Sequence, residues 1–239
     1  MRLAPFIMLG AMLVAMFASL APAQVLDGPH DAATLAAGHA VVAGAGGLRR
    51  QGACMSCHGM EGAAQNAAGF PALGGQSAWY LERQLEAYAS GARPNAIMQP
   101  IAAALSAEQR RQVSAYYAAL PVPPPDEERP AGDPALLQHG GVLSAVGSAE
   151  IGVQACQNCH GPSGVGIAPL YPRLAGQPDG YIAVQLQAWR AGERPGPPPY
   201  DVMTNIARRL SDRDIEAVAL YFASVRTADA PPRRTGLLR

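Results

Sequence analysis

The apolar residues of this chain recur at helical spacing in two segments that lie about one hundred residues apart. Leu81, Leu85 and Tyr88 stand at positions i, i+4 and i+7, which is the spacing of one face of an α-helix. An Ile, a Leu and a Trp repeat this spacing over residues 182–189. No stretch shows the sustained alternation of apolar and polar residues that is typical of a β-strand. The pattern therefore predicts an all-α fold with long loops.

A capping pattern predicts one more helix at the end of each half. Ser106 is followed three residues later by Gln109, and Ser211 is followed by Asp214 at the same spacing. A serine with an acid or amide three residues on is typical of an N-terminal capping box. Apolar residues then follow at helical spacing in both copies: Val113, Tyr116, Tyr117 and Leu120, and Val218, Tyr221, Phe222 and Val225.

The two halves are copies of one another. The sequence "ACMSCHG" at 53–59 recurs as "ACQNCHG" at 155–161, and "FPALGGQ" at 70–76 recurs as "YPRLAGQ" at 171–177. Self-similarity of this kind indicates repeated structural units. The segment between the copies is rich in proline and acids, which is typical of a semi-rigid spacer. The repeat predicts two domains, at 36–120 and 135–227, with a proline-rich linker at 121–134 and a disordered tail at 228–239.

The first residues have the order of a secretory signal, with Arg2, an apolar run and a small-residue end at Ala21-Pro22-Ala23. We expect a signal peptide at 1–23 that is cleaved after Ala23. An uncleaved anchor is the alternative, but the apolar run falls short of the roughly 20 residues that span a bilayer. No other apolar run is long enough to cross a membrane, so the mature chain is expected to have no transmembrane span.

Composition and net charge limit the classes of partner that this chain is expected to bind. The chain is 49% hydrophobic and 15% charged, which is typical of a globular protein. Its formal net charge is zero, so there is no electrostatic case for nucleic-acid binding. All 18 basic residues are Arg, and no polybasic membrane patch is visible.

Each copy contains the pattern Cys-x-x-Cys-His, at 54–58 and at 156–160. In c-type haem attachment, two thiols at this spacing add to the vinyl groups of one porphyrin edge, and the adjacent His becomes an axial ligand of the iron. A zinc ribbon needs its Cys pairs about 15–20 residues apart, and a thioredoxin-like pair needs a βαβ context. The sequence predicts two covalently attached haem c groups, held by Cys54, Cys57, Cys156 and Cys159, with His58 and His160 as axial iron ligands.

Met98 and Met203 are the predicted second axial ligands. They occupy equivalent positions, each shortly before the capped last helix of its half. Met55 and Met60 stand inside or beside the first attachment motif, and the second copy has Gln and Pro at those positions. Core packing is the competing role for a methionine, but Met203 is the only one in its domain. A His/Met pair raises the potential of a haem and suits electron transfer.

The proximal histidines are expected to give their second ring N–H to the backbone carbonyls of Pro71 and Pro172, because metal-bound histidines usually have such a partner. The spacing leaves open whether several matched polar residues contact haem propionates or edges: Gln76, Gln177, Tyr80, Tyr181 and Arg173. The remaining histidines are predicted to be ordinary surface residues: His30, His39 and His139.

In combination, these motifs resemble the dihaem cytochromes of the c4 family, which consist of two fused class I modules. The resemblance rests on "CHG", "FPALGGQ" or "YPRLAGQ", "QL…G.RP" and "M…IA..LS", and it covers nearly all of 36–226. It implies two tandem class I cytochrome c domains, each a small helical bundle around a covalently bound haem, related by pseudo-twofold symmetry. It also implies a periplasmic carrier of single electrons, with a redox protein as donor and a terminal oxidase as destination. Peripheral association with a membrane is compatible with it.

Two other functions remain compatible with the same residues. One is the cytochrome subunit of a periplasmic dehydrogenase complex, which would receive electrons from an enzyme partner and stay bound to it. The other is a dihaem redox enzyme, which needs an open axial position on one iron. The sequence predicts no catalytic acid or base, because the haem itself carries the redox chemistry.

Overall fold

The computed structural model describes residues 30–45, 53–63, 69–123, 132–194, 196 and 201–226. The predicted signal peptide at 1–23 and the predicted tail at 228–239 lie outside the described residues, as does the middle of the predicted linker, 124–131. Within the described ranges, none of the helices is both long and apolar enough to cross a membrane.

The described residues of the first half form five helices. They are α1 (Ala32–Val42), α2 (Met55–His58), α3 (Ala78–Ser90), α4 (Met98–Ala104) and α5 (Ala107–Ala118). Helix α1 packs against α5, and α3 packs against both α4 and α5. The buried core of this half is Val41, Val42, Leu81, Leu105, Val113 and Tyr117.

The second half repeats this plan, and its described residues include a small hairpin. Its elements are α6 (Pro134–Ala145), β1 (Gly147–Ser148), β2 (Val153–Gln154), α7 (Gln157–His160), a 3₁₀ turn (Pro162–Gly164), α8 (Asp179–Ala191), α9 (Val202–Ala207) and α10 (Asp212–Ser224). Helix α10 packs against α6 and α8. The two strands pair antiparallel and have two residues each, which is too short to show an alternating pattern in the sequence. The prediction of an all-α fold is confirmed apart from this hairpin.

Both predicted capping boxes are present. Ser106 caps α5 through the backbone N–H of Gln109, whose side chain accepts a hydrogen bond from the Ser106 N–H in return. Ser211 and Asp214 make the same reciprocal pair at α10. Each box satisfies two backbone donors at a helix start that have no partner within the helix. The prediction of these two helix starts is confirmed.

Two glycines allow the first helix of each half to approach the last helix closely. A Cβ added at Gly38 would lie 2.2 Å from the carbonyl oxygen of Gln112 on α5. A Cβ added at Gly140 would lie 2.1 Å from the carbonyl oxygen of Ala217 on α10. Backbone cannot move aside as a flexible side chain can, so these positions exclude any larger residue.

Replacing Gly140 with Ala is expected to lower the free energy of unfolding by about 1–3 kcal/mol, because the added methyl forces α6 away from α10. Gly141→Ala is the matched control on the same helix, where the added Cβ would meet only the ring edge of Tyr221 at 3.3 Å. Chemical denaturation of the haem-loaded protein measures both. Equal stability of the two variants would contradict the close approach.

The two halves contact each other through reciprocal glutamines. Gln76 donates to the carbonyl oxygen of Arg173 at 3.1 Å and accepts from the Arg173 N–H at 2.8 Å. Gln177 makes the same two bonds with the backbone of Ala72, at 2.8 and 2.9 Å. Exchanging the two halves exchanges one pair of bonds for the other, as a pseudo-twofold axis requires.

Candidate functional site

Each Cys-x-x-Cys-His motif forms a single helical turn. In the first half this turn is α2, in which the backbone N–H of His58 donates to the carbonyl of Cys54 at 2.9 Å. Residues three apart on a helical turn lie on the same face, so Cys54 and Cys57 can reach one edge of a flat ligand. The turn ends at Gly59, whose φ of 70° is in the region that favours glycine. Helix α7 has the same construction in the second half.

The four cysteines, all of them in the described part of the chain, form no disulfide. Burial raises the pKa of Cys54 and of Cys156 to about 11. A reactive redox pair needs the opposite shift, because only the thiolate is nucleophilic. This environment therefore disfavours a dithiol that exchanges disulfides.

The two motif histidines are buried and oriented by backbone carbonyls. Nδ1 of His58 lies 3.1 Å from the carbonyl oxygen of Pro71, and Nδ1 of His160 lies 2.8 Å from that of Pro172. A carbonyl can only accept, so Nδ1 carries the proton and Nε2 has a free lone pair for a metal. Burial also lowers the pKa of both rings, which favours the neutral form that binds iron. The predicted proline-carbonyl contacts are confirmed.

A cavity of about 610 Å³ brings the predicted ligands of both halves to one continuous space. Its lining includes Cys54, Cys57, His58 and Met98 from the first half, and His160 and Met203 from the second. Several apolar residues of the first half line it as well: Leu73, Leu81, Leu85, Ile101, Leu105 and Val113. A largely apolar space that is lined by two thiols, an unprotonated imidazole nitrogen and a thioether fits an iron porphyrin. The lining residues of the first half therefore fit a covalently bound haem. In the second half His160 and Met203 line the same space, and Cys156 and Cys159 belong to the turn that holds His160.

The two other methionines of the first half occupy different surroundings. Met55 is 41% exposed on α2. Met60 packs against the buried core of the first half. Neither is among the described residues that line the cavity. Their positions agree with the sequence comparison, which favours Met98 as the iron ligand.

His139 lies at the surface with 37% of its side chain exposed, and it makes a contact that the sequence did not predict. Its Nε2 lies 2.6 Å from a carboxylate oxygen of Asp214, which is half-buried and also completes the capping box of α10. This contact joins α6 to the start of α10. His39 is exposed, as predicted, and its ring meets the edge of Tyr116. His30 borders a smaller cavity of about 370 Å³ between the halves.

Five matched polar residues whose role the spacing left open contribute to the contact between the halves and also line the cavity: Gln76, Gln177, Tyr80, Tyr181 and Arg173. Their contact with haem edges or propionates stays a prediction. Gln76 and Gln177 bind backbone across the contact between the halves, as described above. The hydroxyls of Tyr80 and Tyr181 each accept a hydrogen bond from an arginine of the other half, Arg194 and Arg93 respectively. The two arginines stand at equivalent positions of the repeat, in the motif "G.RP", but nothing in their spacing indicates a partner.

The model of the family described as "Cytochrome c" matches residues 38–120 and again 147–226. A relative from Stutzerimonas stutzeri, named "Thiosulfate dehydrogenase electron acceptor", is 45% identical over 72% of this chain and 79% of its own length.

Two solved structures are similar in fold. Cytochrome c4 from Pseudomonas stutzeri has a TM-score of 0.68 at 30% identity and covers 80% of this chain and 98% of its own. The thiosulfate dehydrogenase TsdBA from Marichromatium purpuratum has a TM-score of 0.70 at 33% identity, over 84% of this chain. The present chain spans only 43% of that larger one.

Proposed function

The chain belongs to the cytochrome c family, and from this premise we propose that it is a periplasmic electron carrier whose donor is a thiosulfate dehydrogenase. Two covalently attached haem c groups are its cofactors, and its relatives named cytochrome c4 are dihaem electron carriers of the same kind. The observation that carries the choice of donor is the 45% identical relative named as the electron acceptor of that enzyme. A cytochrome c4 from Pseudomonas aeruginosa is 35% identical.

The axial ligands are proposed to be His58 with Met98 on one iron and His160 with Met203 on the other. When bound, each haem supplies an iron that exchanges one electron at a time. The Pro71 carbonyl holds the ring of His58 in one orientation and keeps its proton on Nδ1. If these four residues hold the two irons, each iron would have a protein ligand on both sides and no open position for a substrate, which would favour a carrier over an enzyme.

The location and the destination of the electrons are part of this proposal. The signal-like segment at 1–23 supports export, and the cysteines of both motifs suit covalent haem attachment outside the cytoplasm. The downstream acceptor is proposed to be a terminal oxidase.

A second candidate is a cytochrome that stays bound to the dehydrogenase as a subunit. The structural similarity to TsdBA favours this second candidate. The present chain matches less than half of the TsdBA chain, so in that protein a part similar to this chain belongs to a larger thiosulfate dehydrogenase. Co-elution of this chain with the enzyme in a fixed ratio during size-exclusion chromatography would select the subunit, and separate elution would select the free carrier.

The proposed donor is tested by mixing the oxidised protein with thiosulfate and a thiosulfate dehydrogenase. We expect both haems to be reduced within the turnover time of the enzyme, as followed by the visible absorption of reduced haem. The control is thiosulfate without the enzyme, which should leave both haems oxidised because no axial position is open to it. Reduction at the same rate without the enzyme would mean that this chain is itself the dehydrogenase. If both haems stay oxidised in the presence of the enzyme, a thiosulfate dehydrogenase is not the donor.

A further inference from the structure

A short helix carries the predicted methionine ligand in each half. Met98 is the first residue of α4, and Met203 is the second residue of α9. Beyond each helix the chain reaches a buried leucine, Leu105 or Leu210, which stands immediately before the capping serine of the last helix. The last carbonyl groups of a helix have no partner within it, so they need a donor from outside.

In the first half an arginine of α5 supplies this donor. Nη1 of Arg110 donates to the carbonyl oxygen of Ala102 at 3.2 Å and to that of Leu105 at 2.5 Å. At the other end of α4, Oδ1 of Asn95 accepts a hydrogen bond from the backbone N–H of Met98 at 2.8 Å. Helix α4 has seven residues, which is about two turns, so a contact at its end also fixes its start. Side chains therefore hold the helix of Met98 at both ends.

Packing does not explain why this position of α5 is an arginine. Nε of Arg110 is buried, and it has no hydrogen-bond partner among the described residues. A buried donor without a partner destabilises a fold. The equivalent position of α10, four residues after the capping serine, is Ile215, which is 1% exposed. An apolar side chain is therefore compatible with this place in the repeat, and the arginine points to a task other than packing.

The second half binds the matching carbonyl with an arginine from a different helix. Nη1 of Arg190, on α8, donates to the carbonyl oxygen of Leu210 at 3.4 Å, and its Nη2 binds the carboxylate of Asp212 at 2.6 Å. Arg190 stands two residues before Gly192, which ends α8, and the first half has Ala89 at that position. Each half thus places an arginine on the leucine carbonyl, although neither arginine has a counterpart in the other copy. The same contact made in two ways indicates that the contact itself is what matters.

We propose that Arg110 and Arg190 are positioning residues for the methionine ligands, Arg110 for Met98 and Arg190 for Met203. Each arginine fixes the end of the methionine helix, so that the thioether keeps its place in the wall of the cavity. A thioether is a neutral and weakly interacting group, so a competing ligand displaces it more easily when its helix is free to move. The inference rests on the proposed ligation of the irons by the two methionines, and it is independent of which enzyme donates electrons.

The test is displacement of the methionine by imidazole in the oxidised, haem-loaded protein, followed by loss of the charge-transfer band between thioether sulfur and iron. In a Met203→Ala background this band reports on Met98 alone. Arg110→Ile, which introduces the residue of the second half, is expected to lower the imidazole concentration for half-displacement about tenfold, as the loss of a charge-assisted hydrogen bond predicts. Arg111→Ile is the matched control, because Arg111 is exposed on the same helix and pairs with Glu108. It should leave that concentration unchanged.

Two further variants guard against a failure of Arg110→Ile to fold. Arg190→Ala in a Met98→Ala background introduces the alanine of the first half at a side chain that is 34% exposed. Displacement of Met203 should then need less imidazole by a similar factor. Arg110→Lys keeps a charged donor, so displacement of Met98 should need more imidazole in this variant than in Arg110→Ile.

Chemical denaturation of the same variants separates positioning from stability. If Arg110→Ile and Arg190→Ala lose stability but need as much imidazole as their backgrounds, the arginines are only structural and the proposal is refuted. If the Met203→Ala protein shows no charge-transfer band before imidazole is added, the proposed ligation by Met98 is wrong, which is a separate outcome. Failure of reduction by thiosulfate dehydrogenase would leave the role of the arginines untouched.

Discussion

Met203→Ala is expected to lower the midpoint potential of the second haem by roughly a few tenths of a volt, a large part of the ~0.8 V range that axial ligands set. The thioether stabilises the reduced iron, and its removal leaves water or no ligand on that side. Met203 lines the cavity beside His160 and packs partly buried against the core of the second half. The first haem should keep its potential, because its own proposed ligands are unchanged.

Redox titration and the spectrum of the oxidised protein measure this effect. Met60→Leu is the control, since Met60 packs in the core of the first half and is not among the described residues that line the cavity. Met98→Ala should give the matching change at the first haem. An unchanged oxidised spectrum after either alanine substitution would show that the corresponding iron has another ligand, and an enzymatic role would then become favoured.

Replacing Cys54 and Cys57 together with Ser should reduce the covalently bound haem from two groups per chain to one. The serine hydroxyl cannot form the thioether, and the buried His58 alone does not retain haem through denaturation. The first half should also lose stability by several kcal/mol, because the residues that line its part of the cavity would then face an empty space. The second half, with its own buried core, should keep its haem.

The haem content is measured by mass spectrometry of the denatured chain. Met55→Gln is the matched control, because Gln157 stands at that position in the second copy and Met55 is exposed. This variant should retain two haems. Two haems on the double serine variant would mean that Cys54 and Cys57 are not the attachment residues.

Local features of the fold follow directly from short stretches of sequence. The capping boxes of α5 and α10 depend on residues three apart, and the turn of α2 depends on the spacing of Cys54 to His58. The carbonyl partner of His58 lies only 13 residues away and has a matched equivalent in the other copy. Such features are predictable because backbone geometry alone brings these residues together.

Close approaches between helices cannot be predicted from short stretches of sequence. Gly140 looks like a weak helix residue in the sequence, and only the position of α10 shows that a side chain there would collide with the Ala217 carbonyl. The contact of His139 with Asp214 was not predicted, because the two residues are 75 positions apart in the chain. The hairpin β1–β2 was missed because two residues per strand give no periodic signal.

The sequence by itself determined the two helical copies and a haem attached to each, and it predicted a His and a Met ligand for each iron, since these features rest on spacing within a few tens of residues. The tertiary structure decided how the copies meet. Arg93 finds Tyr181 and Gln185 at separations of 88 and 92 residues, and Gln76 finds Arg173 at a separation of 97. No local pattern encodes a contact between residues so distant, because it exists only when two complete, folded surfaces are placed together.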